Sequence, residues 1–307
     1  MKKDFITVKD LEHKDIKELF LLTDKLKKNK QRFSNTLKGK TLALIFQKPS
    51  NRTRVSFEVG MYQLGGNAIY LSPDEISLGV REAVKDVAKT LSRYVDCIVL
   101  RTYEHANVLE LAKYAEVPVI NGLSDYSHPC QALADIYTIK EKLGSFLRKT
   151  LAYVGDGNNV CNSLIFAASK VGMNMHIACP KGYEPQDCVV ESAKILAKKN
   201  KSTVKLFNKP QDAVKGVDVI YTDVWASMGQ EKEAAGRKRV FKGFQINKNL
   251  VNLAKKNVLI MHCLPAHRGE EITDEVIDSK NSVVFDQAEN RMHVQKAILI
   301  KLLGVKK

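Results

Sequence analysis

Short β-branched apolar runs alternate with stretches of helical period along most of this chain, and few architectures accept that alternation. In the first half, "TLALIF" (41–46), "NAIYLS" (67–72), "CIVLR" (97–101) and "VPVIN" (117–121) read as strands, separated by amphipathic stretches such as "EAVKDVAKTLSRY" and "ANVLELAKYA". A helix is expected from about 130 to 143, followed by the polar linker "GSFLRK". The rhythm then restarts with "TLAYVGD", "MHIACP", "TVKLFN", "VDVIYTD", "VLIMHCL" and "SVVFDQ". Strand–helix–strand repetition implies an α/β fold with mainly parallel sheets, because parallel neighbours need a crossover that helices supply. The chain therefore reads as two parallel-sheet α/β domains, the second Rossmann-like, at 1–143 and 149–307. The amphipathic segment 291–304 forms a terminal helix expected to pack back on the first domain. At 307 residues, 44% of them hydrophobic, the chain is long enough for two sizeable cores.

No stretch approaches the roughly 18 uninterrupted apolar residues of a membrane span, and "MKKDFITVKDLEHKD" has no apolar segment after its lysines. The six cysteines are scattered without a CxxC pair, which reads as reduced thiols and a cytoplasmic location. The net charge of +15 admits a polyanion partner. The lysines, however, cluster at Lys25, Lys27, Lys28 and Lys30, at Lys198, Lys199 and Lys201, and at Lys306 and Lys307, on helix ends and tails with no interleaved aromatics. That pattern favours a solvated surface over nucleic-acid binding.

In open parallel sheets, ligands bind beyond the carboxyl ends of the strands, where the following helices begin. "FQKPSNRTRVSFEVG" (46–60) lies at such a point. A helix N-terminus there offers unpaired N–H groups, Ser50 and Thr53 add hydroxyls and Arg52 adds a guanidinium fork, which is how a phosphate is held. The plainer reading is a serine cap followed by surface arginines. Further strand ends carry Arg101 in "CIVLRTYEH", His128 and Gln131 in "SDYSHPCQALAD", and Cys263 and Leu264 in "IMHCLPAHRGEEI". Singly these are a salt-bridged strand end, a helix cap and surface side chains; together they make a polar crevice.

The ordered set "SNRTR", "HPCQALAD", "VGDGNN", "DVWASMGQE", "HCLPAHRGEEI" and "FDQAENRMHVQKA" resembles the aspartate/ornithine transcarbamylase family over essentially the whole chain. The resemblance implies transfer of the carbamoyl group of carbamoyl phosphate to the side-chain amine of ornithine, giving citrulline and phosphate. It implies that Ser50, Asn51, Arg52 and Thr53 hold the phosphate, that Arg101 and His128 donate to the carbamoyl oxygen, and that Gln131 meets the carbamoyl nitrogen. Arg291 is the implied further arginine on carbamoyl phosphate. Asp223, Ser227 and Met228 are implied for the α-amino end of ornithine, Asn159 for its carboxylate, and Cys263 with the Leu264 backbone for the reacting groups. The implied catalytic set is Arg101, His128, Asp223 and Cys263. A homotrimer is implied too, with no cofactor, since the leaving phosphate carries the driving force.

Asn51 stands where the family motif has threonine, and Ser77 where many relatives have a glutamine that reaches a neighbouring subunit. Aspartate as acceptor is disfavoured: its loop lysine has no match in "SLGVREAVKD". The DxxxSMG arrangement of Asp223, Ser227, Met228 and Gly229 favours free ornithine over putrescine or acetylated ornithine, because it addresses an α-amino group. Rival readings are weaker. "VGDGNNV" has Val160 where a dinucleotide loop needs a third small residue, and "MHIACPKGYE" lacks the expected acid. The spacings of His128, Cys130, His262, Cys263 and His267 match no usual zinc pattern, so no metal is expected.

Overall fold

The computed structural model describes residues 3–226 and 233–304. The chain divides into two compact units, Met1–Ala134 with Glu289–Lys307, and Asp135–Ala288.

The first unit is built on four strands, β1 (Thr41–Phe46), β2 (Asn67–Leu71), β3 (Cys97–Arg101) and β4 (Val119–Leu123), all parallel and in the order β2-β1-β3-β4. Its helices are α1 (His13–Lys28), α2 (Asn51–Gln63), α3 (Pro73–Ile76), α4 (Val84–Leu91), α5 (His105–Tyr114) and the start of α6 (Pro129–Leu143). Every residue of β3 is buried, as are all but the first of β1, which is why both read as continuous apolar runs. β2 lies at the sheet edge and keeps only partial burial. One core cluster joins Ala43, Ile45, Ile98 and Leu100 of the central strands to Val84, Val87, Val108 and Leu111 of α4 and α5.

The second unit carries β5 (Thr150–Val154), β6 (Asn174–Ala178), β7 (Val204–Phe207), β8 (Val219–Thr222) and β9 (Leu259–His262), also wholly parallel, in the order β7-β6-β5-β8-β9. Around it stand α7 (Asn159–Val171), α8 (Asp187–Lys199), α9 (Pro210–Val214), α10 (Ala234–Phe241), α11 (Lys248–Val251) and α12 (Asp274–Ile277). Its core gathers Ala152, Val154, Ile220 and Ile260 from the strands with Trp225, Phe241 and Phe244.

The last helix, α13 (Val284–Leu303), corrects one expectation. "SVVFDQ" is not a sixth strand: Ser282 makes one isolated bridge to Ile260, and the helix is under way two residues later. Val284, Gln287, Asn290, Arg291 and Val294 are buried while Phe285 is exposed. That is helical period, and it outweighs three consecutive apolar residues too few to fill a strand. The later turns of α13 lie on the first unit: Lys296 Nζ donates to Gln63 Oε1 at 2.8 Å, and Lys27 Nζ donates to Asn290 Oδ1 at 2.7 Å. No described helix is long and apolar enough to cross a membrane.

In each sheet the strand order reverses beside the first strand of its half, between β2 and β3 at β1 and between β6 and β8 at β5. The crevice-forming switch points therefore fall at the carboxyl ends of β1 and β3 in one unit, and of β5 and β8 in the other.

Candidate active site

In the first unit, Phe46 and Arg101 are register partners at the ends of β1 and β3, so the chain following β1 emerges beside the Arg101 side chain. Ser50 caps α2: its backbone is extended and its Oγ accepts from Thr53 N at 3.2 Å. Asn51 opens the helix and is exposed, Arg52 is half-buried, and Thr53 is fully buried. Arg291 of α13 reaches the same place. Its Nη2 donates to Thr53 Oγ1 at 2.6 Å and its Nη1 to Gln131 Oε1 at 2.9 Å. One guanidinium thus links α2 with the first turn of α6.

His128 directly precedes Pro129, the first residue of α6, a position that suits proline because its missing N–H is not needed there. Burial drives the imidazole well below its ordinary pKa, and the positive charges of Arg291, Arg101 and Arg52 push the same way. His128 is therefore a neutral hydrogen-bond donor at physiological pH. Guanidinium groups of Arg291, Arg101 and Arg52 near one neutral imidazole, beside the N-terminus of α2, can hold an anion. The sequence-derived set Ser50, Arg52, Thr53, Arg101, His128, Gln131 and Arg291 is brought together here, all within one unit.

In the second unit, the pairing of β8 with β9 sets Thr222 opposite His262, so Asp223 and Cys263, each one residue further on, come out side by side. Cys263 Sγ–H donates to Asp223 Oδ1 at 2.9 Å, and Val224 N donates to the same oxygen at 2.8 Å. Asp223 Oδ2 accepts from Asn158 Nδ2 at 2.8 Å. Asn159, expected as a ligand, is the first residue of α7, and Asn158 is its cap: Asn158 Oδ1 accepts from Val160 N at 3.0 Å and Cys161 N at 3.1 Å. A dinucleotide pyrophosphate would need those same N–H groups. Ser227 and Met228 lie outside the described residues.

Sequence reasoning missed Asn158, although an asparagine before an apolar helical run is a usable cap signal. It also missed the second role of the "HCLPAHRGEE" stretch. His262 Nε2–H meets Glu271 Oε1 at 3.1 Å, both groups fully buried, while His262 Nδ1 accepts from Leu264 N at 2.8 Å. His267 N donates to the same Glu271 oxygen at 2.6 Å. Leu264 has φ +59°, a backbone state costing about 1–3 kcal/mol for a non-glycine residue, and the His262 contact helps to impose it. Gly157 is required by space: a Cβ would stand 2.2 Å from Pro185 N and 2.5 Å from the Glu184 carbonyl carbon. Burial pushes the nearby Asp156 carboxyl up to about 6, against the pull of Arg237.

Two groups among the described residues bring metal-type donors within 4.8 Å: Asp223, His262 and Cys263; and His267, Glu270 and Glu271. In the first, both ring nitrogens of His262 are already engaged by Glu271 and Leu264 N. Ser77, at the end of α3, turns its hydroxyl inward to Pro73 O at 3.3 Å.

A family model described as the carbamoyl-P binding domain of aspartate/ornithine carbamoyltransferase matches residues 3–141, and one described as its Asp/Orn binding domain matches residues 148–302. The chain is 53% identical over 303 residues to the ornithine carbamoyltransferase of Anoxybacillus flavithermus, covering 98% of this chain and 96% of that one. It is 59% identical over 268 residues to that of Pyrococcus horikoshii, covering 87% of this chain and 84% of that one. The solved structure of ornithine carbamoyltransferase from Pyrococcus furiosus matches with a TM-score of 0.96 at 53% identity, covering 99% of this chain and 98% of that one.

Proposed function

This chain belongs to the aspartate/ornithine carbamoyltransferase family, and on that premise we propose how it transfers the carbamoyl group of carbamoyl phosphate to L-ornithine, giving L-citrulline and phosphate. The observation that carries the reading is the set of three guanidinium groups around the buried neutral His128 at the start of α2 and α6. In this reading residues 1–143 bind carbamoyl phosphate and residues 149–307 bind ornithine, with the helix at 291–304 returning to the first domain.

Ser50, Asn51, Arg52 and Thr53 receive the phosphate on the N-terminus of α2, Asn51 through its backbone N–H. Arg101 and His128 donate to the carbamoyl oxygen, and Gln131 accepts from the carbamoyl nitrogen. Charge grows on that oxygen as the carbon becomes tetrahedral, and one donor aimed at it is worth about 3 kcal/mol. Arg291, bonded to Thr53 and Gln131, bears on the phosphate and holds those partners in place. Asp223 receives the α-ammonium of ornithine, Asn159 the carboxylate, and Ser227 and Met228 complete that end.

The attacking nitrogen must be neutral, whereas a free alkylammonium has a pKa near 10. Cys263 and Asp223 orient the ammonium and relay one proton from it: the thiol passes its own proton to Asp223 Oδ1 as the sulfur takes the one leaving the nitrogen. Its lone pair then forms the C–N bond, the C–O bond to phosphate breaks, and the departing phosphate takes the second proton. The same groups serve the reaction in either direction. Replacing Cys263 with serine is expected to lower kcat about 10²-fold and to move the pH optimum upward, since the weaker acid assists deprotonation less. Unchanged turnover with an unchanged pH profile would remove Cys263 from the proton path.

The assembly we propose is a homotrimer. Val55 and Tyr62, seven residues apart on α2, and Ile69 on the edge strand β2 are exposed and apolar, the kind of surface a second copy covers. A cytoplasmic location accords with the cysteines, all six of which are free thiols. The reaction is tested by phosphate release and carbamoylated product from carbamoyl phosphate with ornithine, putrescine, N-acetylornithine or aspartate, each offered alone as acceptor, the ornithine product being citrulline. Turnover with ornithine alone is expected; turnover with another acceptor overturns the assignment of Asp223, and none with any acceptor overturns the reading.

A further inference from the structure

We propose that Arg237 is a positioning residue for the amino-acid subsite: its guanidinium ties the turn after β5 to the segment after β8 and so sets the separation of Asn159 and Asp223. The proposal rests on the reading of those two residues as ornithine contacts.

Arg237 sits on α10 and is only 7% exposed. Its Nη1 lies 3.0 Å from Asp156 Oδ2 and also donates to Trp225 O at 3.0 Å, while its Nε donates to Glu233 Oε2 at 2.9 Å. The guanidinium carbon stands 5.0 Å from the centroid of the Tyr183 ring, and Tyr183 O accepts from Gly157 N at 2.8 Å. These contacts close a ring. Asp156 leads through Gly157 to Asn158, Asn158 Nδ2 bonds Asp223, Asp223 leads through Val224 to Trp225, and Trp225 O returns to Arg237. Every member belongs to one compact unit. Trp225 is also stacked on Phe241 of the same helix, centroids 6.0 Å apart, so α10 grips the Asp223 segment at two points.

A buried ion pair contributes little net stability compared with apolar residues of similar volume, but removing one partner leaves an uncompensated charge. Asp218, tied to Lys149 and Lys255 at the other end of the sheet, is the contrasting case: its lysine partners are partly exposed and it joins only the starts of strands. The Arg237 pair instead joins the two loops that the topology sends to the switch point. A guanidinium suits this position because its planar fork makes several directed bonds at once, which an ammonium does not.

The test is steady-state kinetics of the whole enzyme with each substrate varied in turn, for Arg237→Gln, Arg237→Lys and Asp156→Asn. Arg237→Gln is expected to raise KM for ornithine about 30-fold while KM for carbamoyl phosphate stays within twofold and kcat falls less than fivefold. Arg237→Lys should recover part of the loss, and the double variant with Asp156→Asn should be no worse than Arg237→Gln alone, because both remove one tie. Lowered thermal stability with an unchanged ornithine KM, or equal changes in both KM values, would overturn the proposal; should Arg237→Gln fail to fold, the same split is read on Arg237→Lys and Asp156→Asn. If the wild-type enzyme does not carbamoylate ornithine, the functional reading itself fails, an outcome distinct from ornithine turnover that the variants leave unaltered.

Discussion

Replacing Arg101 with alanine is expected to lower kcat about 10³-fold, since on the proposed assignment it removes a guanidinium donor to the carbamoyl oxygen in a buried site. Arg101 ends β3 and is 5% exposed, so no solvent-borne donor easily takes its place. Lysine at the same position keeps the charge but not the fork, and an intermediate loss of about 10²-fold follows. The measurement is single-turnover citrulline formation at saturating ornithine, with thermal unfolding as the control. A variant that folds and keeps more than a tenth of wild-type turnover would remove Arg101 from the transition state. The same substitution relieves one of the three positive neighbours that hold His128 neutral, but burial, the larger cause, remains. The imidazole should therefore stay uncharged in Arg101→Ala at neutral pH, and the loss reports on the donor rather than on a change in His128.

Asp223→Asn should have the second-largest effect, a fall of about 10³-fold in kcat/KM for ornithine with the affinity for carbamoyl phosphate unchanged. Truncating one partner of a buried charge pair costs about 2–5 kcal/mol, and each 1.4 kcal/mol is tenfold. Asn keeps the volume and can still accept from Asn158, so the helix cap and the fold should survive. On the proposed assignment two functions are lost together: the counter-charge for the substrate ammonium, and the acceptor that orients the Cys263 thiol. Comparison with Cys263→Ser separates them. If the ornithine KM of Asp223→Asn matched the wild type, the assignment of Asp223 to the ammonium would fall.

Both effects trace to places visible in the chain before any coordinates. The polar residues at 50–53, 101, 128, 223 and 263 follow apolar strand runs, and strand ends are where a parallel sheet builds its sites. Strand boundaries at 41–46 and 97–101 came out as read, because those strands are covered on both faces and carry unbroken apolar runs. "SVVFDQ" misled because a three-residue apolar run fits either period, and only burial of Gln287, Asn290 and Arg291 along one helix face resolves it.

What the amino-acid sequence determined by itself was the architecture of two parallel-sheet α/β units, the capped N-terminus of α2 at a strand end and the polar side chains at the other strand ends. Local patterning suffices for these, since period, caps and strand ends depend on near neighbours. What only the tertiary structure decided was which distant residues meet: Arg291 on Thr53 and Gln131, Cys263 on Asp223, His262 on Glu271, and Arg237 closing a ring with Asp156 and Trp225. Those contacts depend on strand order and register, and many sheet orders satisfy the same one-dimensional pattern; the packed sheet selects one of them.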